Sequence, residues 1–156
     1  MRNLKRALSL ALASVMVMGL MVVGSGASYV DVSSENNVEA IEVLQEVGVM
    51  TGDENGNFNP DANVTRNEMA VVMSTLLDYT VSSYKGTAPF SDVPSWAEPY
   101  VAACYTNGII AGYDAKTFGP ADKVTGYQAL AMILRAVGYD KNNEFSGADW
   151  ALHVAQ

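Results

Sequence analysis

Cysteine occurs once in this 156-residue sequence, at Cys104, and histidine once, at His153. A lone cysteine excludes an internal disulfide, and Cys104 reads as a small buried apolar residue, in the place that Leu44 takes sixty residues earlier. No Cys/His cluster has metal-ligand spacing, so neither a metal nor any other cofactor is expected. Cations are scarce as well: nine Lys and Arg stand against seventeen Asp and Glu. That balance excludes nucleic acid and anionic membrane faces as partners, and any bound anion must be held by one or two placed cations. The G-x-S-x-G, H-E-x-x-H, P-loop and Gly-rich dinucleotide patterns are all missing, so no enzyme activity is expected.

A long spanning run is also lacking. Ala7 to Val23 is uncharged and apolar over 17 residues, short of the roughly 20 that cross a bilayer. Arg2, Lys5 and Arg6 precede it, and Ser25-Gly26-Ala27 follow it with small residues. This is the three-part pattern of a secretory signal peptide over residues 1–27, with cleavage before Ser28 and a retained anchor as the alternative. No Cys follows the run, which argues against a lipid anchor. Cleavage removes three basic and no acidic residues, leaving six against seventeen, a formal net charge of −11.

What is present is a repeat. FNPDANVTRNEMA (Phe58–Ala70) returns as FGPADKVTGYQAL (Phe118–Leu130). At the same offset Gly48 maps to Gly108, Gly52 to Gly112, Pro60 to Pro120, Val64 to Val124 and Thr65 to Thr125. YVDV at Tyr29–Val32 matches FSDV at Phe90–Val93 with one residue of slip. Such self-similarity indicates a duplicated supersecondary unit. A third unit begins at EFSGADWALHVAQ, with Phe145, Trp150 and Val154 standing for Phe90, Trp96 and Val101, and is cut short at Gln156. The expected division is therefore 28–85 for unit 1, 86–141 for unit 2 and 142–156 for the start of a truncated third, in a fragment of something longer.

Each unit reads as helix, loop, helix. The first helices are predicted at about Glu35–Val47, with Ala40, Ile41, Leu44 and Val47 on one side, and Trp96–Asn107, with Ser95-x-x-Glu98 as capping box. Gly48 and Gly108 end them. The second helices open on Thr65-x-x-Glu68 and Thr125-x-x-Gln128, two further capping boxes. Apolar faces follow at Met69, Val72, Met73 and Leu76, and at Leu130, Ile133, Leu134 and Val137. The Thr and the Glu or Gln are thus explained by helix initiation. Arg66, replaced by Gly126 in unit 2, is not: a cation in a first turn opposes the helix dipole. It reads as dispensable to the fold and hence as a functional candidate.

TGDENGNFNPD invites a calcium reading, but setting Gly56 at position 6 of an EF-hand loop puts Thr51 and Ala62 where acids are required. Turn chemistry is the simpler account, with Phe58 and Phe118 turned into the core. Trp96 and Trp150 either cover a helix corner or offer a stacking face for a sugar ring. Tyr29, Tyr113, Tyr127 and Tyr139 can serve the same way, and nothing in the sequence singles one out.

The stretch from Phe90 to Thr125 resembles an S-layer homology (SLH) repeat, through Phe90, Asp92, Val93, Trp96, Ala97, Asn107, Gly108, Ile109, Ile110, Gly112, Phe118, Pro120, Val124 and Thr125. Unit 1 lacks the Trp-Ala element but carries VTRNE intact at Val64–Glu68. The resemblance implies an all-α, non-enzymatic wall anchor in which three repeats form a pseudo-threefold bundle. It implies a ligand, secondary cell-wall polysaccharide or another peptidoglycan-linked polymer, often pyruvylated, on a Gram-positive-type surface. It makes Arg66 the ligand-binding cation, with Thr65 and Glu68 of the same motif and Trp96 across the groove. Gly126 departs from the pattern, so the unit 2 groove is expected not to bind in the family's manner. The alternatives are a self-assembly module contacting other surface-layer proteins, and the start of a surface enzyme. Export predicts that N-terminal sequencing of secreted protein starts at or near Ser28; finding Met1 there would mean that residues 7–23 stay as an anchor.

Overall fold

The computed structural model describes residues 29–33, 37–140, 142–145 and 150–155; the signal-like segment lies outside them. The described residues form helices and turns without a named strand: α1 (Val38–Glu46), α2 (Arg66–Leu76), a 3-10 turn (Val81–Tyr84), α3 (Glu98–Thr106), α4 (Gly126–Ala136) and α5 (Trp150–Val154). This is the all-α repeat architecture that the sequence implied.

Both predicted caps of the second helices form. Thr65 accepts from the Glu68 amide while Glu68 reaches back to the Thr65 amide, and Thr125 and Gln128 do the same. The helix ends are equally regular. The Gly48 and Val49 amides donate to the carbonyls of Gln45 and Leu44, and those of Gly108 and Ile109 to Tyr105 and Cys104. Both glycines are left-handed, at φ +70° and +72°, as the Schellman motif requires. α2 and α4 end the same way on Asp78 (φ 52°) and Gly138 (φ 92°), two stops that the sequence reading missed.

Two expectations fail. Ser95 does not cap α3. The Ala97 and Glu98 amides donate to the Pro94 carbonyl, Glu98 Oε1 accepts from the Gly86 amide at 2.8 Å, and the helix starts two residues later than predicted. On α4 the predicted face is not the covered one: Leu130, Ile133 and Val137 are exposed, whereas Ala131 and Met132 are buried. On α1, Ile41 alone of the expected face is buried.

The reason is where the core lies. Met69, Ala70 and Met73 of α2 pack on Val101 and Cys104 of α3, with Ile109, Ile110, Phe118 and Met132 completing the cluster. The core therefore joins the second helix of one repeat to the first helix of the next, and the packing unit is displaced by half a repeat from the sequence unit. Cys104 is fully buried as expected, 3.2 Å from the Ser74 hydroxyl, and burial raises its thiol pKa. Phe118 is fully buried too, but Phe58 is only half-buried.

One acid fixes each loop. Asp92 accepts from the Phe118 amide at 2.9 Å and the Gly119 amide at 2.8 Å. Asp31 accepts from Phe58 at 2.8 Å and Asn59 at 2.6 Å. Burial works to raise the Asp92 pKa, but the Gly119 and Phe118 amides outweigh it and the carboxyl titrates below its ordinary value. The aromatic of the preceding motif closes over the loop. A Cβ on Gly112 would lie 2.3 Å from the Phe90 ring and 2.8 Å from two carbonyl oxygens, so this position takes no side chain. Thr65→Ala and Thr125→Ala should each cost about 0.5–2 kcal/mol in urea unfolding; a silent Thr125 change would contradict the cap observed on α4.

Candidate functional site

Arg66 is the first residue of α2, yet its side chain leaves unit 1 altogether. Nε donates to the Phe118 carbonyl at 2.9 Å and Nη2 to the Ala111 carbonyl at 2.6 Å, both in the unit 2 loop. The guanidinium lies 4.4 Å from the Phe118 ring centroid and 4.7 Å from that of Tyr113, a cation between two aromatic faces. Only 6% of the residue is exposed. The backbone follows the side chain: the Arg66 and Asn67 amides donate to the Asp122 and Pro120 carbonyls, and Val124 donates to Val64. The first turn of α2 is therefore sealed by the loop of the next repeat.

This corrects the expectation that Arg66 is dispensable to the fold. The dipole penalty in its own helix is real but small, about 0.3–1 kcal/mol. Two charge-assisted hydrogen bonds at about 1.5–3 kcal/mol each outweigh it. Among the described residues Arg66 makes no salt bridge; the one present joins Arg135 Nε to Asp140 Oδ2 at 2.6 Å. Burial lowers the Arg66 pKa, and Tyr113, Asp122 and Asp92 act in the opposite direction. The guanidinium stays charged throughout, leaving a nearly buried cation whose nearest partners are carbonyl dipoles and ring faces.

The edge of this residue opens on a groove of about 280 Å³ lined by Arg66, Gly112, Gln128, Met132, Arg135 and Trp150, among others. A second groove, about 530 Å³, is lined by Asp53, Phe58, Glu68, Val72 and Trp96 with their neighbours. The two are repeat equivalents: Gln128 stands where Glu68 does, and Trp150 where Trp96 does. The predicted ligand set is thus divided. Glu68 and Trp96, the latter 58% exposed, share the second, unit 1 groove, and Thr65 is held in its cap. Arg66 does not face Trp96; the tryptophan of its groove is Trp150. Because the Arg side chain crosses to the next repeat, Gly126 does not strip unit 2's own groove of its cation, as the sequence suggested. Unit 2's groove receives Arg66.

Arg135 was missed by the sequence reading. Besides its ion pair it donates to the Phe145 carbonyl at 3.2 Å; its one sequence signal is a cation on α4 where unit 1 has Thr75. Of the four tyrosines left open, Tyr113 is the one stacked on Arg66, and its hydrogen bond to Asp122 raises its pKa. Asp53 accepts the Asn55 and Asn57 amides at 2.9 Å each and both Asn57 and Asn59 side chains, so its carboxylate is engaged in the turn. A further hollow of about 570 Å³ lies beside Asp140, Glu144 and His153, where Glu144 closes on Asn142 and His153 on the Glu144 carbonyl.

Comparison with known proteins identifies a family and surface-protein relatives. The family described as S-layer homology domain matches residues 28–70 and 89–130. The "Surface-layer 125 kDa protein" of Lysinibacillus sphaericus is 32% identical over 110 residues, 69% of this chain and 9% of that protein. An "Endoglucanase" of Bacillus sp. (strain KSM-635) is 30% identical over 152 residues, 90% of this chain and 16% of that protein. The "Cell surface protein" of Thermoanaerobacter kivui is 28% identical over 158 residues, 96% of this chain and 20% of that protein. The chain thus spans a fifth or less of each of these relatives.

Because Arg66 joins two repeats while a Cβ on Gly126 meets nothing within 4 Å, the two positions should respond oppositely. Arg66→Ala should lose about 2–4 kcal/mol of stability, the cost of two unmade charge-assisted bonds and a cation–aromatic contact. Gly126→Ala should gain about 0.4–1 kcal/mol, because helical φ suits alanine there. Urea unfolding of both variants checks this; equal responses would mean that the Arg66 contacts contribute nothing.

Proposed function

This chain belongs to the S-layer homology domain family, and we propose that it anchors an exported protein to the cell wall non-covalently, by holding acidic, pyruvylated secondary cell-wall polysaccharide in the Arg66 groove. The observation that carries this is a nearly buried guanidinium with no salt bridge among the described residues, at the edge of a groove that also contains Trp150 and Arg135. On a chain with an excess of acidic residues, a cation so placed supports recognition of a carboxylate, for which the planar guanidinium fork is suited. The tryptophan ring supplies an apolar face for a sugar. The surface-layer relatives support a location at the cell surface. The endoglucanase relative fits a module whose attached part varies, so an enzyme elsewhere in the parent protein is compatible with a non-catalytic role here.

A second reading, contact with other surface-layer proteins, is favoured by a different observation. Val43 of α1 and the residue at its C-cap, Val47, are 52% and 60% exposed, an apolar surface on a helix with one buried residue. Sedimentation with purified wall separates the two. Binding should be lost when the acidic polymer is stripped from the wall, and Arg66→Lys, which keeps the charge but not the fork, should weaken it roughly tenfold. Undiminished binding to stripped wall, or binding to surface proteins alone, would move the assembly reading ahead.

A further inference from the structure

The two grooves are built from equivalent positions but differ in charge. In unit 1 the cap residue is Glu68, whose Oε2 accepts the Thr65 amide at 2.7 Å and the Thr65 hydroxyl at 2.8 Å. Glu68 lines the same groove as Asp53. Hydrogen bonds from the Asn57 amide and then the Asn57 side chain bring the Asp53 pKa to about 2, so this groove is anionic, and among the described residues no Lys or Arg lines it. In unit 2 the cap residue is Gln128, whose Oε1 accepts the Thr125 amide at 2.9 Å. An N–H donor requires the oxygen at that position, so the group left over is the amide NH2 with its two donors. Gln128 lines the groove of Arg66 and Arg135. The counter-ion of Arg135 is Asp140, whose side chain is 6% exposed and engaged with Arg135 and the Phe145 amide; it is not part of the groove lining.

We propose that Gln128 is a specificity residue of the Arg66 groove: it keeps the helix cap while replacing a carboxylate with hydrogen-bond donors, and so makes this groove, rather than the unit 1 groove, the one that accepts an acidic group. This rests on the acidic-polymer reading above and adds to it a residue outside the Arg and Trp positions. Helix initiation alone does not explain the exchange, because Glu and Gln both complete the capping box in this structure. The exchange does change what lines the groove together with the two arginines. A carboxylate at position 128 would offer them an intramolecular partner and repel an incoming anion.

The test uses the full chain and a defined probe, an N-acetylhexosamine carrying a pyruvate ketal, with the same sugar lacking the ketal as control, read by titration calorimetry. Wild type should bind one ketal per chain and the plain sugar more weakly. Gln128→Glu should bind the ketal at least about tenfold more weakly. Its thermal midpoint should stay within about 3 °C of wild type, because Glu performs the same cap in unit 1. The difference should narrow as salt is raised from about 0.05 M to about 0.5 M, as expected of charge repulsion at a groove open to solvent. Gln128→Met removes the donors without adding charge and should cost less than Gln128→Glu, which keeps the test informative if the acidic variant folds poorly. Wild type that prefers the ketal, with Gln128→Glu and Gln128→Met both at wild-type affinity, would overturn the role of Gln128 and leave the acidic-polymer reading standing. Wild type that does not distinguish ketal from plain sugar would overturn both. Two ketals bound per chain would refute the selectivity between grooves.

Discussion

The rest of the structure depends on one buried cation that belongs to one repeat by sequence and to the next by contact. Arg66 opens α2, where the helix dipole opposes it; the residue is 6% exposed, and its guanidinium lies among carbonyl oxygens and two rings of unit 2. A charge so far out of water persists only where oriented dipoles replace its hydration. The Phe118 and Ala111 carbonyls do so, and their positions are set by the Asp92 clamp on the Phe118 and Gly119 amides and by Phe90 closing over Gly112. The recurring frame of the repeat, which reads in the sequence as several separate turn signals, is thus one device: acid, aromatic and glycine shape a loop that can receive an arginine from the preceding repeat.

The same displacement organises the core. α2 packs on α3, not on α1, so the apolar residues of a sequence repeat are shared between two structural layers. Helical periodicity finds an apolar face on each segment, and it finds those faces here. It cannot tell which of them a neighbour covers, which is why Met69 and Met73 are buried as expected while Leu130, Ile133 and Val137 are exposed. α1 shows the same limit, with Ile41 covered and Val47 exposed.

Local chemistry was the legible part. The Thr65 and Thr125 caps and the Gly48 and Gly108 stops involve partners within about five residues, and all four were found. The failures have longer reach. Ser95-x-x-Glu98 fits the capping pattern, but the Pro94 carbonyl takes the amides and Glu98 bonds Gly86, 12 positions away. Arg66 was judged against its own helix, whereas its acceptors are 45 and 52 residues further on. Arg135 carries no motif, and only its position beside Trp150 and Gln128 brings it into the site. In a repeat protein the sequence shows what each unit must form and leaves open which unit each side chain serves.

Helix geometry explains why the T-R-x-E motif cannot serve one groove. Arg66 and Glu68 are two residues apart, which places them about 200° apart around the helix. If Glu68 turns back to its own cap and lines the unit 1 groove, Arg66 must point away from it, towards the following repeat. The Arg66 groove is then a composite: the cation comes from one repeat, the cap residue Gln128 from the next and Trp150 from the one after, whereas the unit 1 groove draws Glu68 and Trp96 from two repeats. The two positions of the motif therefore serve different grooves, the Arg position the groove ahead and the Glu or Gln position its own. By that logic the Gln128 exchange, three residues into the unit 2 motif, bears on the groove that Arg66 enters, and the Gly126 exchange does not.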